Sequence, residues 1–175
     1  MKPVVLIGPP GAGKTTIGVK LAKLMGRRFL DTDRMVEEQT GQSIGEIFTG
    51  QGEAHFRDLE RRAVAQAMTE AASQDLVIAL GGGAPLDPVS AEMLRREATV
   101  VFLDVSPVVA ARRVGLNDAR PLLRESPRKV WRELMAQRRP VYEALADRTV
   151  VVDGLMPGQV AARIARLVRT TKVAK

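Results

Sequence analysis

The feature that most constrains this chain is the run GPPGAGKT at residues 8–15. It matches the pattern G-x-x-x-x-G-K-[ST] at every fixed position. The run follows a short apolar segment and precedes a helical pattern that begins near Lys14. Glycines let the backbone curl until successive N–H groups point at phosphate oxygens, and the helix N-terminus adds partial positive charge. The run therefore predicts a phosphate-binding loop between a strand and a helix.

The motif also predicts which groups hold a nucleotide. The side chain of Lys14 reaches the β- and γ-phosphates, and the hydroxyl of Thr15 binds Mg²⁺. We therefore expect a nucleoside triphosphate as the co-substrate, with Mg²⁺ as its metal. The motif alone leaves a kinase, a GTPase switch and a motor ATPase open. The nucleotide-binding residues predicted in this segment are Gly11, Ala12, Gly13, Lys14, Thr15 and Thr16.

Apolar runs alternate with longer stretches of helical period along the 175 residues. Near-continuous apolar strands indicate a parallel sheet that is covered on both faces. We expect one α/β domain over residues 1–175, with a three-layer P-loop kinase fold built on a five-stranded parallel sheet. The break at residues 115–127 is typical of a mobile lid, placed at about 115–126. The predicted strands are residues 4–7, 28–30, 76–80, 99–103 and 149–152.

The second predicted strand ends in two acidic residues, Asp31 and Asp33. Strand carboxyl ends face the ligand crevice in this architecture, so both side chains should lie beside the phosphate loop. Asp31 is placed to support Mg²⁺ and Asp33 to hold a hydroxyl of an acceptor. The alternative is an Asx turn that caps a helix opening at Arg34. Because the guanine-specifying N-K-x-D run and a motor-ATPase acidic strand are both missing, a small-molecule kinase is favoured.

Composition excludes several other classes of protein. The chain has no cysteine and one histidine, His55, so disulfide frameworks, thiolate metal sites and cysteine nucleophiles are ruled out. The formal charge of +7 fits an anionic small substrate, because 3% aromatic residues do not provide a stacking platform for nucleic acid. Without a secretory pattern or an apolar run of about 20 residues, we expect a cytoplasmic protein with no membrane partner.

Three further clusters complete a recognisable set. They are GEAHFRDLE at residues 52–60, which is predicted to start a helix, ALGGGA at 79–84, which ends the third strand, and LNDARPLL at 116–123. Together with the phosphate loop and the Asp31-Thr32-Asp33 run, this set closely resembles the shikimate kinase family. The resemblance extends in order from Val4 to about Val168.

The resemblance implies an acceptor site for shikimate, a cyclic carboxylate with three hydroxyls. Arg57 and Arg138 would clamp the carboxylate, with Glu60 orienting Arg57, and Asp33 would bind ring hydroxyls. Arg139 is a one-place alternative to Arg138. The shikimate-binding region is placed at about residues 33–60. The substrate-binding residues implied are Asp33, Arg57, Gly81, Gly82, Gly83 and Arg138.

The family pattern also assigns the nucleotide side and the lid. Arg120 resembles the lid arginine that meets charge on the transferring phosphoryl group, and Arg113 matches the position that stacks on adenine. Asp33, Lys14 and Arg120 are the catalytic residues implied, with Asp31 left open as the base. The stretch 152–157 should complete the adenine pocket. His55 has no role in this scheme.

The sequence therefore predicts ATP-dependent phosphorylation of shikimate to shikimate 3-phosphate, on the route to chorismate and aromatic amino acids. A related small-molecule kinase of gluconate-kinase type is the alternative enzyme. A non-catalytic module in which ATP gates contact with a partner or RNA is the alternative from another class. We expect a monomer that binds no nucleic acid, and we expect Trp131 and Tyr142 to be packing residues.

Overall fold

The computed structural model describes residues 1–115 and 127–170. All sheet pairings are parallel, and the strand order is β2-β3-β1-β4-β5. The predicted fold class is confirmed, and each predicted strand is present within one or two residues of its expected bounds. The strands are β1 (Val4–Ile7), β2 (Arg28–Asp31), β3 (Leu76–Ala79), β4 (Thr99–Asp104) and β5 (Arg148–Val151).

Seven helices accompany this sheet in the described part of the chain. Helix α1 packs against α7, and α2 packs against α3. A single 3₁₀ turn, Ala84–Leu86, follows the loop after β3. The helices are α1 (Lys14–Met25), α2 (Thr32–Thr40), α3 (Ile44–Ala71), α4 (Pro88–Glu97), α5 (Pro107–Gly115), α6 (Pro127–Leu145) and α7 (Pro157–Thr170).

The core is centred on β1, which lies between β3 and β4. Its four residues are at most 2% exposed, and β3 is equally buried. Strands buried on both faces need apolar side chains throughout, which explains their continuous apolar sequence. Because β1, β2 and β3 run parallel and adjacent, the segments that follow them meet at one edge of the sheet. That edge carries residues 8–13, 32–33 and 80–83.

Two helix starts differ from the prediction. Helix α2 begins at Thr32 rather than Arg34, because the Asp31 side chain caps it. Helix α3 begins at Ile44 behind a capping box of Ser43 and Glu46. The helix predicted from Gly52 corresponds to the second part of α3, which starts where Gly52 breaks the helix with φ 84° and ψ 169°.

The predicted lid, residues 115–126, falls almost entirely outside the described residues, and Arg120 lies within that gap. No helix in the described ranges combines the length and apolar character that crossing a membrane requires.

The packing of α7 on α1 can be tested at Ile164, which is fully buried. Ile164→Ala should lower the unfolding free energy by about 2–5 kcal/mol, because it removes buried methylenes and leaves a cavity. Urea denaturation measures this loss. Arg163→Ala on the exposed side of the same helix is the control, and it should change stability by less than about 0.5 kcal/mol. Equal losses at the two positions would contradict this packing.

Candidate active site

The phosphate loop owes its shape to two glycines with left-handed backbone. Gly11 and Gly13 have φ values of 86° and 85°, which side chains with a Cβ rarely adopt. A Cβ on Gly11 would also lie 2.9 Å from the carbonyl oxygen of Ala110. Lys14 Nζ donates to the Gly8 carbonyl at 2.7 Å, so the ammonium lies across the loop at the start of α1.

A hydroxyl and a carboxylate meet beside this loop. Thr15 Oγ1 donates to Asp31 Oδ2 at 2.6 Å, while Asp31 Oδ1 accepts from the backbone N–H groups of Asp33 and Arg34 at 3.1 and 3.4 Å. Asp31 therefore caps α2, as in the alternative considered from the sequence, and its other carboxylate oxygen faces Thr15, the second residue predicted to bind Mg²⁺.

These two oxygen donors suit Mg²⁺, a hard cation that usually binds one or two protein groups together with waters and substrate phosphates. No group of three or more His, Cys, Asp or Glu side chains within residues 1–115 and 127–170 could hold a metal ion. The hydroxyl of Thr15 and the carboxylate of Asp31 are the groups that could hold a phosphate-bound magnesium ion beside this loop.

A cavity of about 170 Å³ lies next to the start of α1. Arg113 forms part of its wall, and Arg113 Nη1 donates to the Gly11 carbonyl at 3.1 Å. The structure brings the predicted adenine-stacking arginine opposite the stretch 152–157 that follows β5. The lining residues are Gly13, Thr16, Ile17, Arg113, Val152, Leu155, Pro157 and Val160.

A larger cavity of about 460 Å³ is lined by residues of α3, α4 and α6 and contains both arginines of the predicted carboxylate clamp. Arg57, Glu60, Gly83 and Arg138 all line it. Arg57 Nη1 donates to Glu60 Oε2 at 2.7 Å, and its Nη2 donates to Glu53 at 3.1 Å. Glu60 is in a position to orient Arg57, which is the arrangement expected from their spacing on α3.

The structure distinguishes between the two neighbouring arginines of α6. Arg138 is 8% exposed and lines the larger cavity. Arg139 instead pairs with Asp104 and Glu143, and its guanidinium lies 5.7 Å from the centre of the Phe102 ring. The cavity-facing residue is therefore Arg138.

The glycine loop, residues 81–83, passes through the middle of these charged groups. A Cβ on its first residue would lie 2.5 Å from carboxylate oxygens of both Asp33 and Glu60. A Cβ on the second would lie 3.0 Å from Arg138 Nη1, and one on the third would overlap the Arg57 guanidinium. Lack of side-chain volume, rather than unusual backbone angles, is what this loop requires.

Burial and charge shift the pKa values of the clamp residues. Burial raises the pKa of Glu60 above its ordinary value, and nearby Asp33 adds to the effect, although the charge of Arg57 opposes it. Burial alone would lower the pKa of Arg57, but Glu60 and Glu53 outweigh it and raise that pKa. Arg57 therefore stays cationic.

Three contacts of the site were not predicted from the sequence. Trp131 and Tyr142 are buried, as expected for packing residues, yet Trp131 Nε1 donates to the Pro10 carbonyl at 3.2 Å and Tyr142 Oη donates to the Gly82 carbonyl at 2.6 Å. The buried Thr32 Oγ1 accepts from the backbone N–H of residue 81 at 3.0 Å. Helical spacing showed that the aromatic residues are buried, but it did not show which carbonyls they reach. His55, which has no role in the predicted scheme, is exposed on α3.

The five-stranded parallel sheet and the phosphate loop at the end of β1 define the fold of a P-loop kinase. A family model described as shikimate kinase matches residues 10–169. The chain therefore belongs to the shikimate kinase family.

Individual relatives are similar in sequence to this chain over almost its whole length. A shikimate kinase of Salinispora arenicola is 52% identical, with 95% of this chain and 98% of that protein covered. One from Streptomyces coelicolor is 46% identical over 90% of each chain. Among solved structures, a shikimate kinase from Acinetobacter baumannii in complex with shikimate superposes with a TM-score of 0.94 at 34% identity, covering 99% of this chain and 96% of that one.

The raised pKa of Glu60 predicts a pH effect on stability. The folded state holds the Glu60 proton more tightly than the unfolded state does, so the unfolding free energy should fall as pH rises from about 4.5 to the raised folded pKa. Glu60→Gln should remove this part of the decline. Urea titrations at several pH values measure it, with Asp58→Asn, a 45% exposed carboxylate on the same helix, as control. If the unfolding free energies of the wild type and of Glu60→Gln changed with pH in parallel, the raised pKa of Glu60 would be contradicted.

Proposed function

We propose that this protein transfers the γ-phosphoryl group of ATP to the 3-hydroxyl of shikimate, giving shikimate 3-phosphate and ADP. The observation that carries the proposal is the cavity lined by Arg57 and Arg138, in a chain of the shikimate kinase family. The complex of the Acinetobacter baumannii protein with shikimate supports the identity of the acceptor.

The acceptor site matches shikimate in chemical character. A guanidinium presents parallel N–H donors that fit a carboxylate, so Arg57 and Arg138 together provide the carboxylate clamp. Glu60 keeps Arg57 in place through the 2.7 Å hydrogen bond between them. Asp33 does not line this cavity, but its carboxylate borders the first residue of the glycine loop together with Glu60. In the proposed complex it accepts hydrogen bonds from ring hydroxyls.

Asp33 is the proton acceptor in this scheme. Asp33 is assigned this role by its position, because its carboxylate borders the glycine loop, whereas the carboxylate of Asp31 faces Thr15 and the first turn of α2. The shikimate hydroxyl oxygen forms the new bond to the γ-phosphorus, and its proton passes to Asp33. The bond between that phosphorus and the β–γ bridging oxygen breaks, and ADP leaves with the electron pair.

The remaining groups hold the nucleotide and neutralise its charge. Lys14 and the loop backbone bind the phosphates, and Thr15 with Asp31 would hold Mg²⁺, which supplies further neutralisation of phosphate charge when bound. Arg113 and the 152–157 stretch enclose the base in the smaller cavity. Arg120, on the lid, is proposed to meet the transferring phosphoryl group.

The proposed reaction is tested by a coupled assay of ADP release with Mg·ATP. Shikimate, gluconate, nucleoside monophosphates and buffer alone are compared as acceptors. We expect strong stimulation by shikimate only. Stimulation by gluconate instead would assign the chain to the alternative kinase type, and nucleotide binding without turnover on any acceptor would indicate an ATP-gated binding module.

The role of Asp33 predicts that its replacement lowers turnover but leaves nucleotide binding nearly unchanged. Asp33→Asn should lower kcat by about 10²–10⁴-fold, because a positioned base is lost, while ATP affinity changes little. Steady-state kinetics and calorimetric titration with ATP measure the two quantities. Thr15→Ala is the comparison variant, since it should weaken binding of Mg·ATP. If Asp33→Asn weakened ATP binding as much as turnover, the role would be wrong.

A further inference from the structure

Tyr142 is fully buried on α6, and its one polar atom reaches the glycine loop. The hydroxyl donates to the Gly82 carbonyl at 2.6 Å, and the ring packs at a tilt against Phe102 with 5.3 Å between centroids. The ring thus supplies core volume, and the hydroxyl supplies a specific bond to backbone. A phenylalanine would provide the first but not the second.

Tyr142 lies one helical turn after Arg138, so the two side chains share a face of α6. The glycine loop passes within contact distance of that arginine, because a Cβ on Gly82 would lie 3.0 Å from Arg138 Nη1. Burial raises the pKa of Tyr142, against the opposing charge and hydrogen bonding of Arg138, so the phenol is neutral and donates at ordinary pH. The hydroxyl therefore bonds to the loop backbone, and the Arg138 guanidinium lies next to both the hydroxyl and the loop.

A second buried hydroxyl holds the same loop from the β2 side. Thr32 is fully buried, and its Oγ1 accepts from the N–H of Gly81 at 3.0 Å. Because Thr32 fixes Gly81 and Tyr142 fixes Gly82, the loop is restrained from both sides at successive residues. The carboxylate clamp can therefore keep its spacing when the cavity is empty.

We propose that Tyr142 is a positioning residue for the acceptor carboxylate, acting through the Gly82 carbonyl and Arg138. This inference rests on the proposed function, in which Arg138 and Arg57 receive the carboxylate of shikimate. Without the phenol hydroxyl, the Gly82 carbonyl loses its buried donor and the loop shifts relative to Arg138. A hydrogen bond from Tyr142 thus sets acceptor affinity although the phenol does not touch the acceptor.

Trp131 supplies a matched comparison on the same helix. Its indole N–H donates to the Pro10 carbonyl in the phosphate loop at 3.2 Å, which is the equivalent bond on the nucleotide side. Tyr142→Phe and Trp131→Phe each remove one buried donor to a loop carbonyl of the site. They should therefore affect different substrates.

The experiment compares Tyr142→Phe, Trp131→Phe and wild type in steady-state kinetics, with the ADP Kd measured by calorimetry. Tyr142→Phe should raise KM for shikimate about fivefold to twentyfold, with kcat and the ADP Kd nearly unchanged. Trp131→Phe should instead weaken ADP binding. With shikimate methyl ester, which lacks the carboxylate charge, the effect of Tyr142→Phe on KM should largely vanish.

A second measurement uses the fact that the chain has one tyrosine. Biosynthetic incorporation of 3-fluorotyrosine labels Tyr142 alone, and its ¹⁹F resonance should shift on addition of shikimate but much less on addition of the methyl ester. This measurement does not depend on the stability of a variant.

Each outcome has a distinct meaning. Wild type that fails to phosphorylate shikimate refutes the proposed function. The positioning role alone is refuted if the wild type is active but Tyr142→Phe leaves the KM for shikimate unchanged. It is also refuted if Tyr142→Phe raises the KM for the methyl ester as much as the KM for shikimate. A lower thermal midpoint with unaltered kinetics would likewise show that Tyr142 only fills the core.

Discussion

The acceptor site depends on three consecutive residues that carry no Cβ. Backbone at residues 81–83 is narrow enough for two carboxylates and two guanidinium groups to converge on it, from α2, α3 and α6. Any side chain there would displace Asp33, Glu60, Arg138 or Arg57. The space for the site therefore exists because the glycine loop after β3 has no side chains. The charged groups around that space belong to helices whose positions are set by the sheet.

The charges around this loop come close to balancing. Two arginines face two carboxylates in a setting where Glu60 is 4% exposed, so burial penalises each charge and the opposite charges compensate. Among the described residues, no buried side-chain nitrogen or oxygen lacks a hydrogen-bond partner. A substrate carboxylate would add negative charge to two arginines that are already oriented, which avoids reorganisation of the clamp on binding.

The sequence predicted the sheet, the phosphate loop and the paired acids because each depends on local pattern: apolar runs, a fixed glycine spacing and strand ends. The family resemblance added Arg57, Arg138 and the glycine loop, which no local rule identifies. Contacts such as that of Tyr142 with Gly82 were not predictable, because sixty positions separate the partners along the chain. The choice between Arg138 and Arg139 likewise needed the position of Asp104 at the end of β4.

Helix α6 connects the two halves of the site mechanically. It continues through Pro140, and it places an indole on the phosphate loop and a phenol on the glycine loop, eleven residues or about 16 Å apart along its axis. Pro140 lies between these two attachment points, and a proline inside a helix removes one backbone hydrogen bond and favours a bend at that place. Rotation or sliding of α6 would therefore move both loops, whereas a change in the bend at Pro140 would alter the spacing between them.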